Sequence, residues 1–516
     1  MKKITVCILT SGTGSRLDHY TVNKNKSLLS IKKESILTKI FNNFPKNSKF
    51  VISIGYKSQQ VKDFVKTHHP KLNVKFVNIK NFSGKKSGPA LSLFKCKNYL
   101  QTPFFFVSCD TIWKKKIFNN RSFNWMGAYK SNKLNSADYC NLMTISNDIN
   151  EIIDKKNSSI FVGLAFIKDY KIFWDGFKFI NSGEPQVSMG FKNILKKSKI
   201  LKKINIDWED TGSRRNYEEL ITKYEKYNFN KVDQQIYISS SKVTKFFDNK
   251  KIIDNLIKKS KIKPKAFPKN IKKKNNFISY DFIKGKTFYN YYDVKSFKLL
   301  INFLEKNLWN GKSKIDKSFL KNCKEFYFKK THKRVDQFLK NNKLLDDRHF
   351  TYKKIQLLKV KNILKNINWS NLFNGIPKFI HGDLQFDNIL KISSKKYKLI
   401  DWRPTFGKSV EIGDLYYDYA KLLGGLHINY DLVKLGRFKF ETQKLQLKLK
   451  IPKRKKTQKM INFFENYLLS KKIDLKKVGV LTGLIFLNMS PLHHHPFDKL
   501  LFLYGKYFLQ KNLSLN

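Results

Sequence analysis

The first hundred residues read as short apolar runs separated by polar, lysine-rich stretches. Ile4 to Leu9 is nearly continuous in its apolar character, the pattern of a strand buried on both faces, and it runs straight into a glycine-rich turn. Phe50 to Ile54, Val74 to Asn78 and Phe104 to Val107 repeat that pattern, and Gln59 to Lys66 has helical spacing. Short apolar strands alternating with helices predict an α/β domain: a mostly parallel, Rossmann-like sheet with helices on both faces. Ligands of such sheets sit at the carboxyl ends of the strands, where this chain places its glycine turn and Asp110. The pattern runs to about residue 225.

Beyond it the periodicity changes. Lys259 to Lys274, with Pro264 and Pro268, reads as a loop or connecting segment, and Asn276 to Phe282 as a short strand. From Lys295 the spacing is mostly helical, interrupted by a β-rich unit at Phe379 to Asp401; Leu445 to Lys456 reads as a basic linker or solvated helix end. No repeat of fixed period is present. These shifts divide the chain into a domain at 1–225 and a second at 226–516. The second is expected to have a small lobe at 226–290 and a mostly helical, α+β-type lobe at 291–516.

Composition narrows the classes. At 516 residues, with 41% hydrophobic and 15% aromatic residues, the chain can bury real cores and is not mainly disordered. Five well-separated cysteines without a CxxC pair exclude a disulfide scaffold and suit a reducing compartment. MKKITVCILTSG lacks the pattern of a secretory leader, and the late apolar stretch Val478 to Met489 is too short to span a bilayer. The expectation is a cytoplasmic protein without a membrane span. The formal charge of +64 alone would suggest a nucleic-acid binder. However, only nine of the 103 basic residues are arginine, the side chain favoured for base readout, and the lysines are scattered along the whole chain. Nucleic acid is therefore not the expected partner, although a positive field attracts nucleotides and phosphorylated metabolites. Self-association into a homodimer is left open.

The first constellation of candidate chemistry is the turn itself. Gly12, Thr13 and Gly14 can bring backbone N–H groups toward a phosphate chain, and Arg16 and Lys26 can neutralise charge on it. The turn is not a Walker loop, since no GKS or GKT follows, and it lacks the third glycine of a dinucleotide fingerprint. Ser11-Gly12-Thr13-Gly14-Ser15-Arg16-Leu17 resembles the opening motif of the nucleotidyltransferases that make nucleotide sugars and CDP-alcohols. That resemblance spans roughly residues 3 to 225. It puts Lys26 at the family's catalytic lysine, with Ser27 where proline is usual. It makes Asp110 and Asp210, in Trp208-Glu209-Asp210-Thr211-Gly212, the Mg²⁺ ligands. Two carboxylates plus phosphate oxygens form the hard oxygen set that Mg²⁺ takes. By the same resemblance, Phe82 to Leu91, with Ser87 and Gly88, is the base-recognition loop, and Gly183-Glu184 and Phe161-Val162-Gly163 belong to the acceptor side. The bland alternatives are an ordinary strand-to-helix loop, Asp110 as a helix cap and Asp210 in a solvated turn.

The second constellation is Phe379-Ile380-His381-Gly382-Asp383-Leu384-Gln385-Phe386-Asp387-Asn388, followed by Leu399-Ile400-Asp401-Trp402. It resembles the catalytic loop of the aminoglycoside phosphotransferase and choline kinase families, relatives of protein kinases. The resemblance implies a protein-kinase-like phosphotransferase fold that uses ATP. Asp383 would orient the acceptor hydroxyl and take its proton, while Asn388 and Asp401 would hold Mg²⁺. His381 is expected to brace the loop from inside, and Asp414 to be the aspartate that steadies it. Lys245 is the candidate ATP-clamping lysine, and Tyr280 and Phe282 flank the candidate adenine hinge; no glycine-rich ATP loop is evident in Gln234 to Ser241. His493-His494-His495 reads as packing of the helical lobe, because adjacent side chains diverge.

Together the resemblances imply two consecutive steps in one chain. ATP-dependent phosphorylation of a small, choline-like alcohol would be followed by transfer of a nucleotide, CTP being the leading donor, with release of pyrophosphate. The product would serve a surface glycan or lipid headgroup. Trp402, Tyr416, Tyr417 and Tyr419 could surround a quaternary ammonium or simply form core. The alternatives are a sugar kinase joined to a sugar-1-phosphate nucleotidyltransferase, a nucleic-acid binder, and a nucleotidyltransferase with a pseudokinase scaffold.

Overall fold

The computed structural model describes residues 3–84, 87–130, 139–153, 159–177, 186–224, 234–311 and 313–515. It divides into two compact units. One comprises Met1–Glu225, Asn230–Asp248 and Lys272–Ser279; the other comprises Lys226–Phe229, Asn249–Ile271 and Tyr280–Asn516. The stretch 226–290, expected as one small lobe, is thus shared between the units.

In the first unit, the strands β1 (Thr5–Leu9), β2 (Lys49–Ile54), β3 (Asn73–Asn78) and β4 (Phe104–Ser108) pair in parallel in the order β3-β2-β1-β4. Their apolar runs are explained by burial on both faces. Val6, Ile8, Phe105 and Val107 enter one core, and Cys7, Leu9, Phe104 and Phe106 enter the other. The helix after β2, α1 (Ser58–His68), turns Val61, Phe64 and Val65 inward, as its spacing predicted.

The mostly parallel, Rossmann-like sheet expected from the sequence holds for these strands and fails beyond them. The sheet continues through β5 (Asn124–Lys130), β6 (Asn141–Ile145), β7 (Asp148–Ile153), β8 (Ser159–Ile167) and β9 (Leu201–Asn205) in the order β4-β8-β5-β9-β7-β6. β8 runs antiparallel to both β4 and β5. Its register shifts between Phe161 and Ala165, and its early part also meets β6 through Ile160 and Asn141. That contact closes the second half of the sheet into a ring. A bulge bends its strand and increases its twist, so an irregularity here curls the sheet where a regular strand would leave it open.

A four-stranded sheet is built from β10 (Gln234–Ile238), β11 (Lys242–Phe247), β12 (Lys272–Lys274) and β13 (Phe277–Asp281), in the order β10-β11-β13-β12. Its strands cluster with the first unit up to Ser279. The expected connecting segment Lys259 to Lys274 is therefore mostly structured. Helix α2 (Lys250–Ile262) runs through Lys259, Ala266 and Phe267 are fully buried, and Lys272–Lys274 is a strand. Buried apolar residues between the prolines outweigh the local breaker signal.

The second unit is helical around a buried trio: α3 (Leu415–His427), α4 (Leu475–Met489) and α5 (Phe497–Leu513). Glycines let these helices approach closely: a Cβ on Gly483 would lie 2.7 Å from Leu509 Cγ. The apolar stretch Val478 to Met489 is thus core, and among the described residues no helix is long and apolar enough to cross a membrane. Leu445 to Lys456 is not a linker. Gln446–Lys450 pairs antiparallel with Lys439–Gln443, a period-two alternation hidden by its lysines.

Candidate functional site

The glycine turn is held from both sides. Thr10 donates to the Ser53 carbonyl through Oγ1 at 2.7 Å and through its N–H at 3.0 Å. The Ser11 and Ser92 hydroxyls hydrogen-bond at 2.8 Å, tying the turn to the helix Pro89–Lys95. Between these anchors, Gly12 faces open space, with no heavy atom within 4 Å of where a Cβ would stand, and Thr13 is half-buried beside it. Gly14 has φ 70°, a left-handed conformation that glycine adopts without penalty. A Cβ there would lie 3.1 Å from Lys26 Cβ, so the turn packs directly on the lysine. Fully buried Asn25 positions Lys26. Its amide donates to the Thr10 and Tyr56 carbonyls at 2.9 and 2.7 Å, and its Oδ1 accepts from the Ser27 N–H and hydroxyl at 3.0 and 2.7 Å. Ser27, where the resembled family has proline, is thereby part of the brace.

Lys26 Nζ lies 2.9 Å from Asp110 Oδ2, and the Ser108 hydroxyl donates to Asp110 Oδ1 at 2.5 Å. Burial alone would raise the Asp110 carboxyl, but the Lys26 ammonium and Ser108 outweigh it and bring it down to about 2. For Lys26, burial works downward and the Asp110 carboxylate reverses it, holding the ammonium protonated. Asp210 reaches the same place by strand pairing. Trp208–Asp210 runs antiparallel to Thr111–Trp113, with Asp210 opposite Thr111. Thr211 then pins the turn, donating to the Asp110 carbonyl from its N–H at 3.0 Å and its hydroxyl at 2.9 Å.

Three charged groups converge on Gly212. A Cβ there would lie 3.1 Å from Asp210 Oδ1, 3.3 Å from Arg16 Nη2 and 3.5 Å from Asp110 Oδ2. The two carboxylate oxygens cannot be further apart than two of these distances end to end, a span that one cation with bound water bridges. Burial, and then the charge of Asp110, pushes the Asp210 carboxyl up, so this like-charged pair gains from a cation. Tyr139 and Asn216 donate to Asp210 Oδ2 at 2.8 and 2.5 Å and aim it. No local sequence pattern marks them, Asn25 or Ser108, because their importance comes only from which carboxylate or loop they touch.

In the segment expected on the acceptor side, the Val162 carbonyl accepts from the Thr111 hydroxyl, and a Cβ on Gly163 would lie 2.8 Å from Ser108 Cβ, so this segment borders Asp110. Ser87 closes a turn onto the Gly84 carbonyl from both N–H and hydroxyl, and Gly88 leads into the helix Pro89–Lys95. Gly183-Glu184, Lys85 and Lys86 lie outside the described residues.

The second unit holds the other cluster. The strands β14 (Ile389–Lys391) and β15 (Tyr397–Leu399) pair, and the segment from His381 to Asn388 is stitched to the turn after β15. The Asn388 amide donates to the Asp383 carbonyl at 2.9 Å, Ile400 N–H to the Asn388 carbonyl at 2.9 Å, and Arg403 N–H to the His381 carbonyl at 3.0 Å. Asp401 sits in this turn with φ 58°, a left-handed conformation that aspartate tolerates better than most residues. Gly382 has φ 82°, and a Cβ there would meet Arg403 Cβ at 2.8 Å, so no other residue fits. His381 is fully buried. Its Nδ1 accepts from the Asp383 N–H at 3.2 Å and its Nε2 faces the Ile400 carbonyl at 3.0 Å; burial pushes it down to about 3, so the ring is neutral.

Asp414 does not steady this loop. It caps α3 and accepts from Ile376 N–H, Tyr416 N–H and the Tyr327 hydroxyl. The brace is Asp418, one turn into α3 and fully buried, which accepts from His381 N–H and Gly382 N–H, both at 2.8 Å, and from Trp309 Nε1 at 3.0 Å. Lys421, three residues on, reaches Asp383 Oδ1 at 2.8 Å. Burial would raise the Asp383 carboxyl; Lys421 outweighs it and holds it below the usual carboxylate range. An aspartate and a lysine three apart inside the apolar run Leu415 to Leu426 were the available sequence signal for both.

Other expected residues are dispersed. Lys245 lies buried in β11 of the first unit, where burial and Lys33 push its ammonium down to about 7. Tyr280 is buried with its ring 6.2 Å from that of Trp402, and Phe282 is exposed. Trp402, Tyr416, Tyr417 and Tyr419 are all buried, the core alternative for these rings. His493 packs 5.1 Å from the ring of Phe497.

No family model matches the chain, and no curated protein matches it. Solved structures similar to part of it include the inositol-1-phosphate CTP transferase from T. maritima, at 18% identity over 43% of this chain and 97% of that one, with a TM-score of 0.37. A UDP-glucose pyrophosphorylase complexed with UDP-glucose is 13% identical over 43% and 98%, with a TM-score of 0.38. The CTP:phosphocholine cytidylyltransferase from Streptococcus pneumoniae is 18% identical over 42% and 98%, with a TM-score of 0.36. At these values the likeness assigns no activity to this chain.

Proposed function

We propose that the chain is a bifunctional transferase whose first unit is a Mg²⁺-dependent nucleotidyltransferase and whose second unit is an ATP-dependent kinase of a small hydroxyl compound. The observation that carries the first part is the convergence of Arg16, Asp110 and Asp210 on Gly212, with Lys26 paired to Asp110, below an open glycine turn. Asp110 and Asp210 are the carboxylates that would hold Mg²⁺, and the ion when bound supplies charge neutralisation at the α-phosphate. The acceptor phosphate is the nucleophile: its oxygen bonds to the α-phosphorus, the bond to the β-phosphate oxygen breaks, and pyrophosphate leaves. Lys26, held protonated, and Arg16 serve as donors to phosphate oxygens and not as bases. Gly12, Thr13 and Gly14 offer N–H groups to the phosphates, and Ser87 and Gly88 belong to the base side. CTP is the favoured donor from the resemblance of the sequence motifs.

For the second unit, support comes from the stitched loop and turn that carry Asp383, Asn388 and Asp401. The acceptor hydroxyl oxygen bonds to the γ-phosphorus, the bond to the β–γ bridging oxygen breaks, ADP leaves and the proton passes to Asp383. Phosphoryl transfer asks mainly for positioning and charge neutralisation, so an Asp383 carboxylate below its usual range can still orient the hydroxyl. Asn388 and Asp401 are the residues that would hold Mg²⁺. Tyr280 and Phe282 are the proposed partners of the ATP base, while Lys245, expected to hold the ATP phosphates, is buried in the first unit and is given no part in this site. A cytoplasmic setting with abundant nucleoside triphosphates suits both reactions. The test is a matrix of pyrophosphate release with CTP, UTP, GTP and dTTP against phosphate monoesters, run beside ADP release with alcohols. Absence of Mg²⁺-dependent pyrophosphate release across the matrix would refute the first half.

A further inference from the structure

Asp383 is surrounded by cations. Lys421 meets its carboxylate at 2.8 Å and lies 6.0 Å from the Tyr417 ring centroid. Lys330 sits 3.8 Å over the Phe326 ring and 5.7 Å from that of Tyr417, and the Arg403 guanidinium is 4.8 Å from the Phe326 centroid. The two rings are 4.9 Å apart and edge-on, so three cations gather around one aromatic pair beside the loop that carries Asp383. Arg334, one turn after Lys330 on the helix Lys330–Asp347, adds a fourth. Lys421 is matched by Asp383. Among the described residues, Lys330, Arg334 and Arg403 make no ion pair; Arg334 has only the Gln337 amide oxygen, at 3.4 Å.

Resting on the kinase reading, we infer that the hydroxyl compound phosphorylated at Asp383 carries an anionic group, a phosphate or a carboxylate, which Lys330 and Arg403 receive. A quaternary ammonium is the wrong charge for this place. The Tyr417 face that would cage it is already met by Lys330 and Lys421, and like charges in a half-buried site repel strongly. Burial, and then Arg403, Lys421 and Arg334, push the Lys330 ammonium well down, a penalty that a bound anion relieves. The rings supply a rigid apolar wall, so the anion is held by charge and its carbon frame by packing. The class is a sugar acid, a polyol phosphate or a hydroxy acid, and this argues against the choline-like acceptor.

The same anionic recognition could instead serve the γ-phosphate of ATP, and the kinetics separate the two. ADP release by the full chain would be measured with choline, ethanolamine, glycerol, glucose, glycerol 3-phosphate, glycerate and glucuronate. An anionic alcohol should be the best acceptor. Lys330→Met, which keeps the stem on Phe326, should raise KM for that acceptor about tenfold to a hundredfold with KM for ATP unchanged, and Lys330→Arg should restore it. Choline or a neutral polyol as best acceptor would overturn the inference and leave the kinase reading standing. A rise confined to KM for ATP would also overturn it. No ADP release with any acceptor would overturn the kinase reading itself.

Discussion

Gly212→Ala is the most discriminating perturbation of the nucleotidyltransferase reading, because it adds one methyl group where three charged side chains meet. The new carbon would stand 3.1 Å from Asp210 Oδ1 and 3.3 Å from Arg16 Nη2, both tighter than ordinary contact, and 3.5 Å from Asp110 Oδ2. The backbone does not resist: Gly212 is absent from the positive-φ positions, so alanine is conformationally acceptable there. Stability should stay within about 1 kcal/mol of the parent. Activity should not. Displacing Asp210 or Arg16 by a few tenths of an ångström, and filling space that a cation and phosphate oxygens need, should slow nucleotidyl transfer about tenfold to a hundredfold. That is about 1.4–2.7 kcal/mol on the barrier. The assay is pyrophosphate release over a Mg²⁺ titration, with thermal unfolding of the same preparation as control. Parental rates and parental Mg²⁺ dependence in a folded Gly212→Ala protein would refute the idea that these three groups act together on one ion and its phosphates.

Asp110, held near pH 2 against an ordinary 3.8, contributes stability that is present above about pH 4 and lost as pH falls toward 2. The shift corresponds to about 2 kcal/mol, and Asp110→Asn should flatten the unfolding free energy over that window. Lys26→Ala should suppress pyrophosphate release and spare ADP formation; loss of both activities in the folded variant would indicate one composite site. Asp418→Asn keeps the shape of the loop brace but swaps an acceptor for a donor facing buried N–H groups. It should cost about 1–3 kcal/mol in denaturant unfolding of the second unit, and an unchanged midpoint would contradict the brace. Asp383→Asn should cut ADP release by orders of magnitude while calorimetry finds ATP binding intact, and full turnover would remove Asp383 from its proposed role.

Sequence periodicity alone was sufficient for β1 to β4 and α1, because strands buried on both faces must be continuously apolar and a one-sided helix must repeat every three to four residues. Periodicity did not single out Lys26, Asp110 and Asp210, or His381 to Asn388 with Asp401; the resemblance of their motifs to known families did. Four things were decided only in the folded chain. The sheet's closure depends on an irregularity in Ser159–Ile167 that brings Ile160 to Asn141, a non-local pairing that no local pattern announces. The stretch 226–290 is shared between two units: the paired strands β10 and β11 cluster with the first, while α2 belongs to the second, a partition set by contacts that no local pattern carries. The loop brace is Asp418 and not Asp414. Both are buried aspartates four residues apart, and only the direction each side chain takes from α3 determines which one meets the N–H groups of His381 and Gly382. The cations around Asp383 come from Lys330, Arg403 and Lys421, far apart along the chain, so their common address exists only in three dimensions.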